Sequence, residues 1–234
     1  MVEYNRQGII EEASFRDRSY IFTDRNAAGR LLAQKLKNYQ DTNGMVLAIP
    51  AGGVPVAAQI ARFLEMPLDL IIVRKIQIPW NTEAGLGAMA PDGQIFLNEP
   101  LVRTLHLDEA QVQAQLALTR KNLEQREARF RGGRPFPDLT GKIALVVDDG
   151  LASGSTMLAA RKFIEQRQPA EIIVAVPTGL LETVEFIHQT APTVVCLNIR
   201  TRRPFAVAAA YREWYDVPDD EVMKILAEFP HIHS

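Results

Sequence analysis

The chain lacks several things that whole protein classes depend on. Its 234 residues include one cysteine, Cys196, which excludes an internal disulfide and suits a reducing compartment. Cys196 lies in the apolar run VVCLNI, where a thiol serves as a small buried hydrophobe rather than a nucleophile. No apolar run approaches the length of a membrane span. The opening MVEYNRQGIIEEAS lacks the apolar core of a signal peptide. Charge of one sign is missing too: 26 Lys and Arg stand against 28 Asp and Glu, a net charge of −2. That balance gives no support for a general nucleic-acid binder. The expectation is a soluble, cytoplasmic protein with no membrane or nucleic-acid partner. A hydrophobic content of 47% is ample for a core, and the length fits one domain with additions.

The rest of the chain is organised around residues 142–158, KIALVVDDGLASGSTML. Ile143–Val147 is an unbroken apolar run rich in β-branched residues, the pattern of a strand buried on both faces of a parallel sheet. Asp148 and Asp149 follow at its C-terminal end. Then comes a small-residue loop, Gly150, Leu151, Ala152, Ser153, Gly154, Ser155 and Thr156, feeding a helix from Thr156 to about Arg167. A strand–loop–helix of this kind aims backbone N–H groups and a helix's positive end at one spot, which makes a phosphate site. The glycines allow close approach of an anion, and the hydroxyls add donors. The loop has no lysine in the position of a nucleoside-triphosphate loop, and it is not the glycine pattern of a dinucleotide fold. Two carboxylates beside a monophosphate cradle suit a ribose 5-phosphate, with phosphate in the loop and hydroxyls on the acids. A solvated acidic turn after a core strand is the plainer reading of an isolated Asp-Asp-Gly.

Other segments fall into the same rhythm. Residues 1–14 read as a poorly ordered lead-in. Asp24 can cap a helix with an apolar stripe of Ala28, Leu31, Leu32 and Leu36, and Arg25 reads as a surface ion-pair partner. A strand at 45–49 leads into Pro50-Ala51-Gly52-Gly53, a second place where backbone N–H groups can hold an anion. A strand at 68–73 is followed by Arg74 and Lys75, cations at the edge where ligands bind in such sheets. Residues 77–92 read as a loop or short hairpin, a candidate lid. Asp108 and Gln111 form a capping box for a long helix ended by Gly132-Gly133, its basic residues interleaved with Glu124 and Glu127. Strands at 171–176 and 193–199 flank a helix at 180–190. Together the runs predict an α/β fold with a Rossmann-like parallel sheet of about five strands flanked by helices. His231 and His233 near the end are too few for a metal site.

The 143–156 segment resembles the phosphoribosyl pyrophosphate (PRPP) motif of type I phosphoribosyltransferases: apolar strand, two acids, then a Gly/Ser/Thr loop. Phe22, Asp24, Arg25, Ala28, Gly29, Leu32, Ala33 and Leu36 resemble the opening of a bacterial subgroup of that family. The resemblance spans Phe15 to about Leu226. It implies a single domain over 15–234, a hood mainly at 200–234 and a helical insertion at about 108–131. It also implies transfer of ribose 5-phosphate from PRPP, with Mg²⁺, to a small-molecule acceptor, usually a nitrogenous base, with release of pyrophosphate. Under it, Asp148, Asp149 and Lys75 are catalytic and Gly150 to Thr156 hold the 5′-phosphate. Ala51, Gly52, Gly53, Arg74 and Lys75 hold pyrophosphate, although the subgroup has Arg where this chain has Ala51. Phe205, Glu83 and Pro177 are candidates for acceptor contact. Mg²⁺ would be held mainly by PRPP oxygens and water, near Asp148 and Asp149. The family often forms homodimers, and the long helix could make that contact. Two other readings stay open: a non-enzymatic PRPP-binding regulator on the same fold, and a phosphatase or sugar-phosphate hydrolase using the acid pair.

Overall fold

In the computed structural model the described residues are 8–229, with the side chains of 82–84 outside the description. Glu83 as a side chain, and His231 and His233, therefore lie outside the described residues. The core is a six-stranded parallel sheet in the order β1-β9-β8-β7-β2-β3. It comprises β1 (Ile9–Ile10), β2 (Gly44–Ala48), β3 (Leu68–Leu70), β7 (Ile143–Val147), β8 (Glu171–Leu180) and β9 (Thr193–Arg200). Three further strands, β4 (Arg74–Ile78), β5 (Asn81–Met89) and β6 (Ile95–Leu97), form a separate antiparallel sheet.

The apolar strands are buried on both faces because helices cover both. Alternate residues sort to opposite sides: Val46, Ala48, Leu145 and Val147 join one core cluster, and Met45, Leu47, Ala144 and Val146 the other. Helices α1 (Arg25–Lys35) and α2 (Gly53–Leu64) supply Leu32, Val56 and Ile60 to the first. Helices α5 (Ser155–Glu165) and α6 (Leu181–His188) supply Met157, Phe163 and Ile187 to the second. Helices α3 (Glu99–Thr104) and α4 (Glu109–Arg131) follow the small sheet, and α7 (Asp219–Ala227) closes the described chain.

The strand order carries the functional consequence. From β2 the chain moves outward to β3; from β7 it moves the other way, to β8 and then β9. Connections leaving β2 and β7 in opposite directions open a crevice between their C-terminal ends, the switch point where ligands bind in open α/β sheets. The register brings Ala48 level with Val147, so both following turns start at the same height.

Several expectations are corrected. The sheet has six strands because Ile9–Ile10, inside the supposed lead-in, pairs with Val194 and Val195. Two residues are too short to give a periodic signal. The strand at 68–73 ends at Leu70, and Arg74 and Lys75 instead begin the antiparallel sheet. The strand expected to end at Val176 continues to Leu180. The hairpin expected within 77–92 runs over 74–89, with Ile78 opposite Asn81 and Pro79-Trp80 at its tip. The hood joins both ends of the chain: Phe22 bridges Tyr211, and Arg212 N donates to Phe22 O at 2.9 Å.

The capping box at Asp108 and Gln111 is present, and Gly132 ends α4 in the left-handed region at φ 58°. The basic face of α4 is tied mainly to other elements rather than to its own acids. Arg126 pairs with Asp219 at 3.1 Å, Arg129 with Asp220 at 2.8 Å, and Arg131 with Asp69 at 2.8 Å. Among the described residues no helix is long and apolar enough to cross a membrane.

Candidate active site

The crevice is built where β2 and β7 stop. Ile49 N donates to Val147 O at 2.8 Å, holding the two strand ends together. From β2 the backbone turns through Pro50, Ala51, Gly52 and Gly53, with the Pro50–Ala51 peptide cis. Gly52 has an ordinary right-handed backbone, φ −60° and ψ −34°. Its requirement for glycine is steric: a Cβ there would stand 1.9 Å from Asp149 Oδ2. At Gly53 a Cβ would stand 2.7 Å from Val147 O and 2.9 Å from Asp148 Cα. The turn therefore lies directly against the acid pair.

Asp148 and Asp149 are half-buried, and Asp149 N donates to Asp148 Oδ1 at 2.8 Å. Loss of hydration in the crevice, reinforced by the Asp149 charge, pushes the Asp148 carboxyl well above the usual range. Burial also raises Asp149, against the opposing pull of Arg25. Two acids this close favour one ionised and one protonated form unless cationic or hydrogen-bonding ligands arrive.

The side chain opposing them is Arg25. Read from sequence as a surface residue, it is only 5% exposed, a correction that depends on the C-terminal segment folding back. Its Nε donates to Asp149 Oδ2 at 2.9 Å and its Nη1 to Tyr215 O at 2.8 Å. The guanidinium carbon lies 3.9 Å from the centre of the Trp214 ring, a close cation–π geometry. Tyr211 OH donates to Asp149 O at 2.6 Å, and burial pushes that phenol upward, keeping it a donor. Arg25, Tyr211 and Trp214 are not among the site residues expected from sequence. Arg25 is signalled by the Asp24-Arg25 helix start and the subgroup resemblance, and the rings by the aromatic-rich tail, but nothing local links position 25 to positions 211–215.

The loop after β7 forms the other wall. Leu151 N donates to Thr178 O at 2.8 Å, and Leu180 N to Leu151 O at 3.2 Å. Leu151 is buried in the core, so within the expected phosphate loop it acts as an anchor and its N–H is already used. Thr183 Oγ1 holds Ala152 O at 2.7 Å. Gly150 passes under Val207, whose Cγ1 would lie 2.6 Å from a Cβ. Gly154 opens α5 with φ 75° and no side-chain cap, leaving the helix end available to an anion. Ser153 and Ser155 hydroxyls are 3.0 Å apart beside it, and Thr156 is half-buried on the first turn.

The remaining candidates separate. Ala51 belongs to the turn and is half-buried. Lys75 stands on β4 opposite Ala88, its stem over Gly85, where a Cβ would be 2.6 Å from Lys75 Cγ. Arg74 faces a different cleft, lined by Asn122, Gln125, Arg126, Ala128, Arg129 and Asp219. Those walls include neither the acid pair nor the two glycine turns. Pro177 is buried within β8 rather than in a turn. Phe205 is half-buried just after the cis Arg203–Pro204 peptide.

This arrangement has relatives. The model of the phosphoribosyl transferase domain matches residues 21–210. The chain belongs to that family. Two curated Mycobacterium tuberculosis relatives, each named "Putative phosphoribosyl transferase" (MT0597 and Rv0571c), are 40% identical over 206 residues, 88% of this chain. The chain spans 46% of the length of either one. The crystal structure of TT1426 from Thermus thermophilus superposes with a TM-score of 0.73 at 36% identity, covering 90% of this chain and 99% of that one.

Proposed function

We propose that this phosphoribosyl transferase family member transfers ribose 5-phosphate from PRPP to a small-molecule acceptor, releasing pyrophosphate. The observation that carries this reading is the contact of the Gly52-Gly53 turn with Asp148 and Asp149 at the β2/β7 switch point. It sets a glycine backbone turn and a pair of carboxylates side by side, with a capless helix end beyond. Gly150, Ala152, Ser153, Gly154, Ser155 and Thr156 bind the 5′-phosphate through backbone N–H groups and hydroxyls. Asp148 and Asp149 accept hydrogen bonds from the ribose hydroxyls, and Asp149 opposes positive charge that builds on the ring as the C1′–O bond breaks. Ala51, Gly52, Gly53 and Lys75 hold the departing pyrophosphate.

Mg²⁺ fits this site as a substrate-borne ion. Among the described residues no group of three or more His, Cys, Asp or Glu forms a metal cage. The close acid pair is nevertheless a hard oxygen donor set whose raised carboxyls a cation would relieve. When bound, the ion supplies neutralisation of leaving-group charge. The protein's part is to keep Asp149 oriented, through Arg25 and Tyr211, and to fix the two phosphate ends of one molecule. Nucleobases are the first acceptor class to test, with Phe205 and the hood as the contact.

The test is calorimetric titration of PRPP with and without Mg²⁺. Binding should depend on Mg²⁺ and weaken about 10- to 100-fold in Asp149→Asn, the range expected when charge-assisted hydrogen bonds are lost. Pyrophosphate release across a base panel then identifies the acceptor. Binding that is absent in the unmodified protein, or unchanged in Asp149→Asn, overturns the assignment.

A further inference from the structure

The cleft that captures Arg74 has no role in the site above. It is an open space of about 710 Å³ between β4, α4 and α7, lined by Arg74, Asn122, Gln125, Arg126, Ala128, Arg129 and Asp219. Asn122, Gln125, Arg126 and Arg129 stand at helical positions i, i+3, i+4 and i+7, so one stripe of α4 supplies them all. Three guanidiniums face one lining carboxylate. Asp219 serves Arg126 Nη2 at 3.1 Å and Arg129 Nε at 3.2 Å, and Arg129 also reaches Asp220 outside the cleft.

That leaves cationic donors unserved. Among the described residues, Arg126 Nη1 is buried with no hydrogen-bond partner, a costly state for a charged donor. No hydrogen bond to the Arg74 guanidinium occurs among them either. Burial and the like charge of Arg126 depress the Arg74 pKa, only partly offset by Asp219. A cluster of this kind is completed by an anion.

We propose that this cleft is a binding site for a small, multiply charged phosphate-type oxyanion. Arg74, Arg126 and Arg129 would hold it, and the amides of Asn122 and Gln125 would donate from the rim. Donors converge from a strand and from one face of a long helix, which suits tetrahedral oxyanions taking bonds from several directions. A lone planar carboxylate is served by a single guanidinium fork. Adjacent strand residues point to opposite faces, so the site sits behind the strand that also carries Lys75. The proposal is independent of PRPP chemistry at the acid pair.

The test is a proton–nitrogen NMR titration of the full chain with inorganic pyrophosphate in metal-free buffer, matched in ionic strength by sodium chloride. Saturable shifts should centre on the side-chain amides of Asn122 and Gln125 and on the Arg126 and Arg129 signals. Asn122→Asp places a carboxylate on an exposed position that carries no ion pair, and it should weaken binding about tenfold. Lys121→Gln, an exposed neighbour outside the cleft, should leave affinity unchanged. Arg126→Gln should abolish binding; because it also releases Asp219, Asn122→Asp decides the matter if that variant misfolds. Shifts confined to residues 50–53 and 148–156, shifts reproduced by chloride, or equal losses in Lys121→Gln and Asn122→Asp would each overturn the proposal.

Discussion

The turn after β2 and the loop after β7 each carry two glycines, leave a parallel strand and feed a helix, yet their glycines meet different constraints. Gly52 has a backbone that any residue could adopt; what bars a side chain there is the Asp149 carboxylate 1.9 Å from its would-be Cβ. Gly154 has φ 75°, a backbone that disfavours a side chain before any neighbour is considered. One turn is shaped by what it presses against, the other by the conformation that exposes a helix end. The first constraint bears on the acid pair and its buried arginine, the second on the helix entry, and substitutions separate them.

The largest effect should come from Gly52→Ala. The new methyl group displaces the Asp149 carboxylate from Arg25, so PRPP affinity falls about 100-fold, on the order of 2.7 kcal/mol, and the melting temperature falls as well because the buried Arg25–Asp149 pair is broken. Calorimetry and thermal unfolding on the same preparation check both halves. Wild-type affinity in this variant would mean that the turn and the acid pair are not mechanically linked.

Gly154→Ala should act mainly on stability. Forcing alanine into the left-handed region costs roughly 1–2 kcal/mol, and its Cβ also meets Thr183 Cγ2 at 2.8 Å. A chain of this size should lose roughly 4 °C in Tm with less than the Gly52→Ala loss in PRPP affinity. An unchanged Tm would show that the loop refolds around the side chain.

The smallest expected effect concerns the acids between the turns. Asp148 titrates above its ordinary value in the fold, so between the unfolded and folded pKa the native state binds the extra proton and stability falls as pH rises. Asp148→Asn removes that penalty. It should raise Tm by a few degrees at pH 7.5, on the order of 1 kcal/mol, and by less at pH 4. A gain that grows on acidification would contradict the raised carboxyl. The same variant should lose PRPP affinity, so the acid is kept at a cost in stability.

Much of this was legible locally. Ile143–Val147, the acid pair and the Gly/Ser/Thr loop read correctly as strand, edge and helix entry, because burial pattern and turn chemistry are properties of neighbours in sequence. The Asp24 cap and the Asp108 capping box were readable for the same reason. By sequence, Arg74 and Lys75 form one cationic pair at the sheet edge. The structure turns them onto an antiparallel strand, where alternation sends Arg74 to α4 and Lys75 over Gly85. Arg25 reads as a surface residue because its position at the start of α1 gives no hint that Trp214 and Tyr215 return to cover it.

The sequence by itself determined the central strands and most of the helices, where the Gly/Ser/Thr loop begins and that two carboxylates precede it. These follow from periodicity, glycine and capping, which act over a few residues. Only the tertiary structure decided that residues 52 and 149 touch, that Arg25 is buried against Asp149 under Trp214, and that Arg74 leaves the crevice for a separate cationic cleft. Those outcomes depend on strand order and on residues brought together from 48 to 190 positions apart in the chain. Local propensity does not encode such pairings; packing of the whole chain selects them.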